Sequence, residues 1–363
     1  MGSTDNLLRA NFPNYVKGTR FAVPFSDLLG RGIFLADGRL WSLQRKLASY
    51  AFSSRALRRF SGRVLRAHLH HGLLPFLAGA ADSARLCLRR RGIIARRHED
   101  FFKAFDDAVE ISLARMFHPT TAVWRVMRLA NVGSERRLRE AIGVIDEYVM
   151  AMIESEQLHG NRNDDEQNLL SRFAVAMEED GGSELGAMFD SPESKRRFLH
   201  DVVVSFVLPG KGSTSSALTW FFWLLAANPR CERRVHEEAS RHEDDRGADG
   251  DGDGYEELKG MHYLHAAITE AMRLYPPVPI NSRVAAAADV LPDGTAVHAG
   301  WFADYSAYAM GRMPRLWGDD CREFRPERWL DDVGEFVAAD AARYPVFHAG
   351  PGRAPGRKWR TCR

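Results

Sequence analysis

Glu270 and Arg273 stand three residues apart in the run EAMR. A helix there sets a carboxylate and a guanidinium on one face, within reach of each other. On a surface such a pair is worth little. The surrounding YEELKGMHYLHAAITEAMRLYPP is apolar enough to be buried, and FRPERW further along brings a second guanidinium, Arg328. Two planar guanidiniums clamping one carboxylate make a rigid scaffold of the kind that sits under a cofactor. A second candidate lies inside KRRFLHDVVVSFVLPGKGSTSSALTWFFWLLAANPR (195–230), where Pro209-Gly210 is followed by Gly212-Ser213-Thr214. Proline costs roughly 3 kcal/mol in a helix interior and glycine about 1. The reading is either a tolerated kink or a local groove whose hydroxyls hold a small ligand or relay protons.

Two other motifs fail on their chemistry. DGDGDG, counted from Asp249, imitates a calcium loop, but Gly260 stands where the bidentate Glu is needed. PGKGSTS imitates a phosphate loop, but Gly212 rather than Ser or Thr follows Lys211, and Ser205 replaces the leading glycine.

Around these residues the chain reads as mainly α with a small β region, in a single domain. RRLREAIGVIDEYVMAMIESEQ (136–157) places Leu138, Ile142, Ile145, Val149 and Ile153 at helical spacing. The segment 195–230 is apolar nearly all round, so it is expected to be buried through the middle of the domain. Pro229 opens the next helix, and Pro276-Pro277 stop the helix that carries Glu270. Residues 243–254 form an acidic, Gly-rich surface loop, Asp293-Gly294 signals a hairpin, and the arginine-rich stretch 82–100 is expected to be an exposed basic loop. The 363 residues are 45% hydrophobic, and 50 basic against 48 acidic residues leave a formal charge of +2. That balance argues against nucleic acid as a partner. Cys87, Cys231, Cys321 and Cys362 lack pair spacing, which fits a reducing compartment and neither a disulfide framework nor a zinc site. No apolar run reaches the ~18 residues of a membrane span, and no signal-peptide profile opens the chain.

Taken in order, the broken central helix, EAMR, FRPERW and FHAGP resemble the cytochrome P-450 haem-thiolate monooxygenases, and LWSLQRK is similar to their Trp-x-x-x-Arg helix. The resemblance is strongest to the plant fatty-acid omega-hydroxylase branch, in LTWFFWLLAANP, DYSAYAMGRMPRLWGDD and VFHAGP. It implies an incomplete cytochrome P-450 fold, without the family's membrane anchor, first helix and strands, and the helix after the haem loop. It also implies haem, O2, an NADPH-dependent reductase, a fatty-acid-like substrate and, for the family, the endoplasmic reticulum membrane. A chain without the anchor is expected to be soluble or unstable. By the same resemblance, Trp41, Arg45 and Arg283 approach a haem propionate, and Glu270, Arg273 and Arg328 form a buried triad. Gly210, Ser213 and Thr214 line the oxygen groove, with Gly212 in place of the relay acid. Phe347, Gly350 and Gly356 frame the loop that presents a Cys thiolate to the iron.

The last line, YPVFHAGPGRAPGRKWRTCR (344–363), departs from that pattern. The family's Phe-x-x-Gly-x-Arg-x-Cys-x-Gly, counted from Phe347, puts Gly352 at the Arg position and Ala354 at the Cys position, so no metal ligand stands there. Cys362 comes eight residues too late. Back-translated from the last base of the Pro351 codon, the aberrant tail 352–363 permits Arg-Thr-Cys-Ala-Gly-Lys-Glu-Met-Ala-Tyr-Val-Gln, which restores both residues. A displaced reading frame is therefore expected, and a similar displacement or a mis-spliced exon is one origin for 82–100. Two functions follow: a fatty-acid hydroxylase by family whose present chain is inactive, or a non-catalytic pseudogene or mis-predicted product without haem. A binding module using the apolar cavity is a third reading.

Overall fold

The computed structural model describes residues 2–51, 93–118, 120–158, 169–178, 184–244 and 255–352. They fall into two compact units, one within 17–51 and 93–208, the other within 2–16 and 209–352. Gly356, Ala354, Cys362 and the rest of the tail beyond Gly352 lie outside the described residues, as do 82–92; of the loop expected at 243–254, Glu243 and Asp244 instead end the helix Pro229–Asp244, and 245–254 lie outside the described residues.

The first unit is helical. Its longest helices are Ile93–Phe117 and Gly133–Leu158, with Gly18–Leu29, Gly38–Ala51, Thr121–Ala130, Leu169–Glu178 and Pro192–Leu208 around them. Leu138, Ala141, Ile145, Val149 and Ile153 form the buried stripe of Gly133–Leu158, packed into one core with Phe101, Phe105, Ala108 and Ile111. Their three- and four-residue steps keep them on one helix face. Ile142, expected in that stripe, sits at its half-buried edge, and the smaller Ala141 takes the centre. The basic stretch is corrected in part. Residues 93–100 are helix and not loop, because they lead in register into the buried Phe101, Phe105 and Ala108.

In the second unit, β2 (Ile280–Ala285) lies between β1 (Tyr15–Val16) and β5 (Phe302–Ser306), all antiparallel, with Tyr15 opposite Ala285 and Ile280 opposite Ser306. β3 (Asp289–Val290) and β4 (Ala296–Val297) form the hairpin around Asp293-Gly294. Gly294 takes the left-handed conformation there, φ 87°, which a glycine adopts without steric cost. The helix His262–Leu274 buries Tyr263, Ala266, Ala267, Ala271 and Leu274 and packs against Phe221, Leu224 and Leu225 of Thr214–Ala227.

The break expected in 195–230 is present, and the burial expected for the segment needs correction. The segment is helical from Pro192 to Leu208, becomes a π-turn over Pro209–Ser213, and is helical again from Thr214 to Ala227. Burial all round does not hold for the last part: Ala217, Phe221, Leu224 and Leu225 are buried, but Phe222 is 64% and Trp223 55% exposed. A helix packed on one neighbouring helix covers one stripe of its surface, whatever the hydrophobicity of the remainder. Among the described residues no helix is long and apolar enough to cross a membrane.

Candidate functional site

The centre of the second unit is a carboxylate saturated with donors. Glu270 is fully buried on the helix His262–Leu274. Its Oε2 accepts from Arg273 Nε at 2.7 Å and from the Trp329 indole N–H at 2.9 Å. Its Oε1 accepts from Arg273 Nη2 at 2.7 Å, the Arg325 backbone N–H at 3.0 Å and Arg328 Nε at 3.1 Å. Arg273 spends its remaining donors on the carbonyls of Gly311, Cys321 and Glu323. Arg328 bonds the carbonyls of Trp317 and Asp320. Bonds from Arg328 and Arg325 also hold the Asp320 carboxyl down to about 2.

Position 311 requires glycine for this assembly, since a Cβ there would stand 2.1 Å from the Arg273 carbonyl oxygen. The structure thus brings Glu270, Arg273 and Arg328 together as a staple between the helix and the segment 311–329. No lone pair or N–H of Glu270 or Arg273 is left for a reactant, so the chemistry of the cluster is positional. Trp329 has no place in the motif-level reading. Its indole N–H finds Glu270 only through tertiary packing, within a cage formed by Trp317 and Tyr344. Trp329→Phe keeps the ring packing and deletes that donor. A hydrogen bond to a charged acceptor is worth roughly 1.5–3 kcal/mol, so urea unfolding should show a loss of that size. Trp317→Phe removes only a bond to the Met310 carbonyl and should lose about 1 kcal/mol for that bond.

The loop at 345–352 is fixed from two sides. Pro345–Phe347 forms a 3₁₀ turn, and His348 and Gly350 take left-handed conformations, φ 57° and 54°. Tyr305, on β5, pairs its hydroxyl with His348 Nδ1. Burial raises the Tyr305 hydroxyl pKa well above its ordinary value, opposed by the charge of Arg283 on β2. Tyr305 therefore stays protonated. Phe347 is half-buried beside the cluster of Trp329, Tyr344 and Met272. At Gly350 a Cβ would lie 2.4 Å from the Leu8 carbonyl oxygen, so the N-terminal segment closes directly on the loop. Gly350→Ala combines that clash with a left-handed backbone costing about 1–2 kcal/mol for an L-residue. A fall in the urea midpoint corresponding to at least ~1 kcal/mol is expected.

The groove residues behave less simply. Pro209 cannot donate to the carbonyl four residues back, and the chain widens into the π-turn. Ser213 Oγ donates to the Pro209 carbonyl at 2.6 Å, so its proton satisfies the opened backbone. Gly210, Gly212 and Thr214 are exposed. Trp41 and Arg45 belong to the other unit, four apart on Gly38–Ala51 and both half-buried. Burial pulls the Arg45 guanidinium below its ordinary pKa; such a partly dehydrated cation favours an anionic partner.

A thiolate-bound haem needs a Cys at the end of this loop, and the donor set does not supply it. Ala354 occupies the motif position. Among the described residues the thiols are Cys231 and Cys321, both buried in side-chain clusters. The Cys321 thiol donates to the Arg312 carbonyl at 3.2 Å. No group of three His, Cys, Asp or Glu is placed to hold a metal ion among the described residues. The residues present do not fit a thiolate-ligated haem.

Residues 83–357 match the family model described as Cytochrome P450. The chain is 38% identical to cytochrome P450 CYP94D108 of Paris polyphylla, over 98% of its own length and 73% of that protein. It is 37% identical to cytochrome P450 94A1 of Vicia sativa, over 96% of the chain and 69% of the relative. To cytochrome P450 94C1 of Arabidopsis thaliana it is 38% identical, over 96% and 71%.

Proposed function

The chain belongs to the cytochrome P450 family, and from that premise we propose a monooxygenase of the fatty-acid omega-hydroxylase type whose present chain is catalytically silent. The supporting observation is a contrast within one unit. The Glu270–Arg273–Arg328 staple is fully formed, while Ala354 stands in place of the ligand that makes the family's chemistry possible. Haem is the family's cofactor, and when held by a thiolate it supplies O–O cleavage. Here Ala354 offers a methyl group and no lone pair, so no step of that chemistry is assigned to this chain. In the restored protein, the Trp41 indole and the Arg45 and Arg283 guanidiniums approach the haem propionates, and Phe347, Gly350 and Gly356 frame the loop. Gly210, Gly212, Ser213 and Thr214 line the oxygen groove. An NADPH-dependent reductase supplies electrons, O2 is co-substrate, and the endoplasmic reticulum membrane is the setting.

Sequencing the transcript across codons 345–363 tests the frame. Expression of the frame-restored chain with a reductase and a long-chain fatty acid tests the activity. A terminally hydroxylated product from the restored chain, and none from the present one, is expected. Hydroxylation by the present chain overturns the reading.

A further inference from the structure

His200 lies in the helix Pro192–Leu208 with its side chain 2% exposed, outside every motif the family reading uses. Both of its ring nitrogens face carboxylates. Nε2 is 2.8 Å from Asp146 Oδ1, and Nδ1 is 3.4 Å from Asp201 Oδ1. A neutral imidazole carries one N–H, so its other nitrogen would point a lone pair at a carboxylate oxygen. Only the imidazolium carries an N–H and positive charge toward each side; the Nε2–Asp146 contact is a close charge pair outside hydrogen-bond alignment.

Asp201 does more than face the imidazole. Its Oδ2 accepts the Arg31 backbone N–H at 2.8 Å. Gly30 has φ 48°, and a Cβ on it would sit 2.1 Å from the same Oδ2. Gly32 is equally tight, with its Cβ position 1.9 Å from Ser205 Oγ. The turn at 30–32 is thus seated directly on a buried carboxylate, and it leads into the helix Gly38–Ala51 that carries Trp41 and Arg45. We propose that His200 is held as an imidazolium at neutral pH and acts as a proton-operated latch, its charge fixing Asp201 and thereby seating the 30–32 turn.

The charged groups facing His200 are few. Its own helix supplies Asp201 and Arg197; Arg197 lies 3.2 Å from Asp146 and 3.7 Å from Asp201 and is 46% exposed. Gly133–Leu158 supplies Asp146, and the turn supplies the Arg31 N–H. Burial and Arg197 disfavour the imidazolium, Asp146 and Asp201 favour it, and the net shift is upward. A raised folded-state value means the latch is fully engaged below the free-histidine pKa of about 6.5. It is lost as pH rises through the raised value.

The test uses the full chain. The His200 ring C–H resonance, followed by NMR, should titrate above the free value of about 6.5, and Asp146→Asn should lower the midpoint. Hydrogen exchange of the Arg31 amide, corrected for the intrinsic pH dependence of exchange, should lose about tenfold protection across the same midpoint. That corresponds to about 1.4 kcal/mol. His200→Gln should flatten the transition; if that variant does not fold, the Asp146→Asn shift assigns the resonance. A ring that titrates at or below the free value, or Arg31 protection that is flat through the transition, overturns the latch.

Discussion

Mixed with ferric haem and reduced under carbon monoxide, the purified chain is expected to show no thiolate-type Soret band. A thiolate holds the iron through a charged, strongly donating bond, and Ala354 cannot replace it. The alternatives within reach are poor. Cys231 and Cys321 are buried among aromatic and aliphatic side chains, and Cys362 stands eight residues past the motif position. His348 engages its Nδ1 with the Tyr305 hydroxyl, which ties one ring nitrogen to β5. Ala354→Cys alone should restore a weak thiolate band, and the frame-restored chain a full one. Position 352 explains the difference. With Ala354→Cys alone, Gly352 still offers no guanidinium to a propionate, whereas the restored frame supplies that arginine, whose Cβ at 3.1 Å from the Phe12 ring needs the ring to give by only a few tenths of an ångström. A clear thiolate band from the unaltered chain sinks the inactivity reading and points to Cys362.

Glu270→Ala should abolish soluble expression. It leaves Arg273, whose side chain is 0% exposed, without its carboxylate, and Arg328 with Asp320 alone. Breaking a buried pair by removing one partner costs roughly 3–5 kcal/mol, a large share of the 5–15 kcal/mol that holds a typical domain together. Glu270→Gln retains an acceptor oxygen but turns an amide N–H toward donors, so it should lose less stability and still express poorly. Soluble yield and the urea midpoint decide the matter. A Glu270→Ala chain that melts like the parent would mean the five donors around the carboxylate contribute nothing to the fold.

The Glu270–Arg273 contact was legible because a helix fixes the spatial relation of residues three apart. Arg328 was a candidate by residue type, but its pairing with Glu270 rested on family likeness, since nothing local says which carboxylate a distant guanidinium will meet. Trp329, adjacent to Arg328 in the charged stretch FRPERWLDD, carries no local sign of which acceptor its indole N–H will meet. The same holds for Arg115, whose buried bonds to Glu135 and Asp27 join residues on three separate helices. The His200 latch was missed for that reason too. Asp201 is its chain neighbour, but Asp146 and the 30–32 turn come from elsewhere in the chain.

What the sequence determined by itself was whatever depends on spacing along one element: the stripe at Leu138, Ile145, Val149 and Ile153, the break at Pro209, the stop at Pro276-Pro277, and the absent thiol at 354. Periodicity and covalent chemistry are complete within a few residues. Tertiary structure decided which surfaces meet. Thr214–Ala227 is apolar nearly all round after its first turn, yet Phe221 is buried and Phe222 is exposed, because its neighbours among the described residues cover one stripe of it. Hydrophobic transfer is non-directional. A helix's apolar residues therefore say how much surface favours burial, and only the packing of distant segments determines which part is covered.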